Sequence, residues 1–86
     1  MHEMSLLSDL LGKIQRLAEE NGAGRVVAVR VWLGALSHIS AGHFREHFEA
    51  GVRGTLAEGA ILEVETSEDM DDPHAQDILL KSIDVD

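Results

Sequence analysis

The chain contains no cysteine. That excludes disulfides, thiolate zinc sites and thiol nucleophiles together, and makes folding independent of redox compartment. Aromatic side chains are almost as scarce. Trp32, Phe44 and Phe48 are the full complement, so an internal core must be mainly aliphatic. Proline occurs once, at Pro73. Basic residues are few: 7 Lys+Arg against 16 Asp+Glu give a formal net charge of −9. Such a balance argues against nucleic acid and anionic membranes as partners, and leaves cations or a basic protein surface. No segment approaches the ~20 apolar residues that span a bilayer. No basic stretch followed by an apolar run heads the chain, so a cytoplasmic protein is expected.

What is present is enough for one small domain of 86 residues, with no room for a second. From Ser5 to about Glu20, the residues Met4, Leu7, Leu11, Ile14 and Leu17 recur at three- and four-residue steps, and Leu10 widens the stripe. This spacing predicts an amphipathic helix. Asn21-Gly22-Ala23-Gly24 stops it. Arg25 to Leu33 reads as a strand, with Val27, Val29, Val31 and Leu33 on one face and Val26, Ala28, Arg30 and Trp32 on the other. Gly34 ends it. A second helix is expected from an N-cap at Ser40 to about Arg53, followed by a strand over Ala60 to Glu65 carrying Leu62 and Val64 inward. The segment Thr66–Asp77 holds five acidic residues and Pro73 without apolar periodicity, and reads as a solvated, mobile and dispensable loop. Ile78 to Asp86 resumes as a strand, with Leu79, Ile83 and Val85 on one face. The expected fold is α+β, in the order α-β-α-β-β. Two helices cover one face of a small three-stranded sheet, the first two strands are parallel, and the last two pair as a long-looped hairpin.

Chemistry concentrates in histidine. Met1-His2-Glu3 places an α-amine one peptide unit before an imidazole. The amine, the His2 amide nitrogen and the His2 ring can close fused chelate rings around one ion. Nickel(II) and copper(II) accept such donors in square-planar or tetragonal geometry. His43-Phe44-Arg45-Glu46-His47 matches the inverted zinc-peptidase pattern. A catalytic zinc needs three protein ligands, however, and no downstream glutamate-bearing helix exists to supply the third. The pair instead reads as surface histidines flanking Phe44 and Phe48, with room for a secondary zinc or nickel site. His38 follows the turn after the first strand and is a candidate fourth nickel donor, or else an exposed loop histidine. His74 reads as solvated. Asp69, Asp71 and Asp72 lack the alternating spacing and turn glycine of a calcium loop. No serine–histidine–acid set and no phosphate-binding glycine loop is legible, so no enzyme activity is expected.

Met1-His2-Glu3-Met4-Ser5-Leu6 heading an amphipathic helix resembles the start of the HypA/HybF nickel metallochaperones. So do Val29-Arg30-Val31-Trp32-Leu33-Gly34-Ala35-Leu36-Ser37, Phe44, Phe48, Gly54-Thr55, Glu58-Gly59-Ala60-Ile61-Leu62-Glu63 and Leu80-Lys81-Ser82-Ile83-Asp84-Val85. The resemblance covers nearly the whole chain except Thr66–Asp77. It implies a nickel-binding accessory protein for [NiFe]-hydrogenase maturation. Met1, His2 and Glu3 would form the nickel site, and Ni(II) would be cargo. A maturation GTPase and the hydrogenase large subunit are the implied partners, with urease as a further target in some organisms. His38, His43 and His47 are candidate additional ligands. Members of that family carry a zinc module with two Cys-x-x-Cys pairs between their last two strands. Here the acidic loop 66–77 stands in its place, so residues 1–86 are read as a single nickel-binding domain with no structural zinc. The alternative reading is a metal-free interaction module that docks on a maturation GTPase or a hydrogenase subunit.

Overall fold

The computed structural model describes residues 3–86, with side chains from residue 5 onward. Helix α1 spans Glu3–Glu20, strand β1 Val26–Leu33, helix α2 Ala41–Gly51, strand β2 Ile61–Thr66 and strand β3 Ile78–Val85. The expected α+β architecture is present, with the elements in the expected order.

Each boundary has a local cause. At the end of α1, Gly22 adopts φ 64°. Its amide donates to the Glu19 carbonyl (3.0 Å), and the Ala23 amide to the Ala18 carbonyl (3.0 Å). This left-handed closure satisfies the last carbonyls of the helix. At the start of α2 the Ser40 hydroxyl accepts from the His43 amide at 3.2 Å, as an N-cap should. Inside, Leu7, Leu10, Ile14 and Ala18 of α1 meet Phe44 and Phe48 of α2 over Val29, Val31 and Leu33 of β1. The two phenylalanine rings stack with centroids 6.0 Å apart. They are the largest fully buried side chains among the described residues.

The sheet order is β2-β1-β3, with β1/β2 parallel and β1/β3 antiparallel. The parallel pairing matches expectation, but the hairpin of β2 with β3 does not form. Once β2 lies on one edge of β1, the other edge still presents unpaired amides and carbonyls, and β3 satisfies them. Two inward faces also differ from a strict two-residue alternation. The β1/β3 register shifts between Val26 and Ala28, so Val26 rather than Val27 is buried. It shifts again between Arg30 and Val31, leaving Lys81 as an extra residue in β3. Leu80 therefore faces the core with Ile78 and Ile83 in place of Leu79, and Val85 is exposed.

The segment joining β2 to β3 must pass over the end of β1, and its second half is docked there. Ala75 is buried. Its carbonyl accepts from the Leu36 amide (2.6 Å), and the Asp77 carbonyl from the Gly34 amide (2.9 Å). The expectation of a loop without an apolar anchor is corrected at Ala75. Residues 67–71 remain largely exposed, but 74–77 form a tie across the sheet end.

On the face away from the helices, Arg30 links all three strands. Its Nε lies 3.0 Å from the Glu63 carboxylate, its Nη2 3.3 Å from that of Asp84, and its Nη1 3.2 Å from the Ser82 hydroxyl. The hydrogen bond and charge of Asp84, with the charge of Glu63, hold the guanidinium above its already high pKa. An exposed network of this kind adds little stability, but it favours one strand register.

Candidate metal centre

Short connections fix which groups share an end of the molecule. The tight turn after α1 makes α1 run against β1, and the β1-α2-β2 crossover makes α2 run against β1 too. The two helices are therefore roughly parallel. Their contact agrees: a groove between them is lined by Leu7, Ser8 and Leu11 of α1 and by His47, Ala50 and Gly51 of α2. The helix starts, the end of β1, the turn 34–40 and the docked segment 74–77 thus meet at one pole.

Met1 and His2, the core of the expected nickel chelate, lie outside the described residues, and Glu3 enters only as the first backbone position of α1. Around the pole the described histidines fall into two groups. His38 is exposed and sits at φ 64°, the one non-glycine residue with positive φ among the described residues. Histidine tolerates this left-handed region better than most side chains. His38 lines a small cleft with Leu6 of α1, Leu36 and Ser37 of the turn, and Gln76 and Asp77 of the docked segment. Beside that cleft the His74 Nδ1 lies 2.9 Å from an Asp77 carboxylate oxygen. His74 is exposed, as the sequence suggests, and is also paired with Asp77. An acidic residue three positions on is a visible signal for that pairing, but the place of Asp77 in one cleft with His38 follows only from the return of β3 along β1.

His43 and His47 form the second group, one turn apart on α2, with ring centroids 4.9 Å apart and planes tilted by 41°. His43 is exposed and His47 half-buried against α1. His38 and His47 line different clefts. Among the described residues, no group of three or more His, Asp or Glu converges as a metal cage.

A sequence profile described as "Hydrogenase/urease nickel incorporation, metallochaperone, hypA" matches residues 1–70. The chain is 41% identical over 64 residues to the hydrogenase maturation factor HypA of Rhizobium leguminosarum bv. viciae, covering 74% of this chain and 57% of that protein. It is 41% identical over 64 residues to HypA of Archaeoglobus fulgidus (74% and 58%) and 38% identical over 65 residues to HybF of Salmonella typhimurium (76% and 58%). The match thus spans less than two-thirds of these curated relatives. In fold, the chain is similar to the solution structure of the Ni metallochaperone HypA from Helicobacter pylori, with TM-score 0.78 and 19% identity over 99% of this chain and 97% of that one. The chain belongs to the HypA family of hydrogenase/urease nickel-incorporation metallochaperones.

Proposed function

We propose that this chain holds one Ni(II) ion at its amino terminus and yields it to a [NiFe]-hydrogenase under maturation. The observation that carries this reading is the family match beginning at residue 1, so that Met1-His2-Glu3 occupies the head of the matched region. The chemistry of those three residues supports it. Nickel displaces protons from the Met1 amine and from a backbone amide, and the His2 imidazole completes the fused rings. Glu3 adds negative charge or a further backbone donor, and His38, across the cleft from α1, is the candidate fourth donor. Release follows when a partner offers competing ligands or when protons reclaim the amine and imidazole.

The remaining parts of the reading follow from it. The partners are a maturation GTPase and the hydrogenase large subunit. The compartment is the cytoplasm, and no described helix is long and apolar enough to cross a membrane. Residues 1–86 act as one nickel-binding domain whose fold uses no thiolate-bound zinc, because the chain has no cysteine. Nickel calorimetry on protein with an untagged amino terminus tests the site. The parent should take one tightly held ion per chain. His2→Ala, or one residue added before Met1, should each abolish that tight binding. Unchanged tight binding in both variants would refute the assignment.

A further inference from the structure

We propose that His43 and His47 form a second site for a divalent transition metal, separate from the amino-terminal chelate. The spacing is the first ground. Residues four apart on a helix lie one above the other on the same face. Imidazole suits nickel, copper and zinc. The second ground is the fit of the rings. With metal–nitrogen bonds of about 2.0–2.1 Å, each ring centroid lies about 3.2 Å from the ion, so two cis imidazoles hold their centroids roughly 4.5–5.2 Å apart. The observed 4.9 Å falls within that interval. The two rings thus stand at the separation that a shared ion requires.

The surroundings hold this arrangement in place. Phe44 and Phe48, the next residue after each histidine, are fully buried and fix the rotation of α2 about its axis. The Ser40 cap closes the first turn on the His43 amide. His47 is half-buried and lines the groove that Leu7, Ser8 and Leu11 of α1 share with α2. His43 is exposed and closes the chelate from the solvent side. Because α1 and α2 are parallel, the pair lies at the pole where α1 begins. Two protein nitrogens leave the remaining coordination positions to water. The site is therefore weaker than a chelate of amine, amide and imidazole, and it exchanges its ion more readily.

The two sites separate in one experiment. Untagged full-length chain is titrated with nickel sulfate by calorimetry and by proton NMR, as parent, His2→Ala, His43→Asn and His47→Asn. The parent should take two ions, one tight and one weak. His2→Ala should keep only the weak one, with the His43 and His47 ring protons broadening first. Either helix variant should weaken the second equivalent roughly tenfold or more and leave the tight one unchanged, since one imidazole is a monodentate ligand. Loss of the tight ion speaks only to the amino-terminal site. The helix pair is overturned by a parent that takes no second ion, or by a second equivalent that survives both helix substitutions within a factor of about two.

Discussion

A methyl group at position 34 would press on the backbone of His74 and Ala75, with the His74 carbonyl oxygen 2.6 Å away. Gly34 lacks that group because the segment from β2 to β3 crosses the end of β1 at this point, where the Gly34 amide also donates to Asp77. Backbone cannot yield as a flexible side-chain tip would. Gly34→Ala should cost about 1–3 kcal/mol in urea unfolding. Gly42→Ala is the control: nothing lies within 4 Å of its would-be side chain, and better helix propensity should stabilise it by at most about 1 kcal/mol. Equal effects at both positions would mean that the crossing is not a tight contact. His38, four residues on, holds a left-handed conformation that costs an ordinary side chain roughly 1–2 kcal/mol.

The elements were largely legible in the sequence, because each carries a period that only one secondary structure buries. The leucine steps of α1, the valines of β1 and the Ser40 cap of α2 all fall within a residue or two of their observed limits. Which strand β3 chooses was not legible. Leu79, Leu80 and Ile83 suit either partner, and the decision rests with the free edge of β1 and with Gly34. The two register shifts were hidden for a related reason, since a bulge changes which residues face inward without changing composition. With β3 on the far edge of β1, the loop must span two strand spacings, about 9.5 Å, from β2 across β1. Replacing residues 67–77 with a two-residue Asn-Gly turn should therefore abolish cooperative unfolding by circular dichroism. A replaced chain that still unfolds cooperatively near the parental midpoint would show that β3 can move to β2.

Over the whole molecule, the core stands on aliphatic stripes from both helices against β1, with two stacked phenylalanines at its centre. No cysteine contributes, and no described cluster of three ligands clamps the fold. Treatment with a strong chelator should leave the thermal midpoint unchanged within about 1 °C, because stability depends on a bound ion only where that ion favours the folded state. A large fall would assign a folding role to a histidine–carboxylate site. The same architecture gathers His38, His43 and His74 at the pole where α1 begins, with His47 one turn further along α2. Sequence alone identified His38, His43 and His47 as candidates but not their common end. That depends on the parallel helices and the antiparallel return of β3.

Nickel affinity as a function of pH tests the amino-terminal chelate most directly. An unperturbed α-amine titrates at about 7.7–8.0 and imidazole at about 6.5, and a displaced amide nitrogen releases a further proton. Below these values protons hold the donors, and above them the metal does. The apparent Kd of the tight equivalent, corrected for nickel bound by buffer, should tighten by more than about tenfold per pH unit between roughly pH 6 and pH 8, with more than one proton released per ion. A site built from ordinary carboxylates would compete with few protons across that range. A flat profile would contradict the account and point to a carboxylate site in place of the amino-terminal chelate.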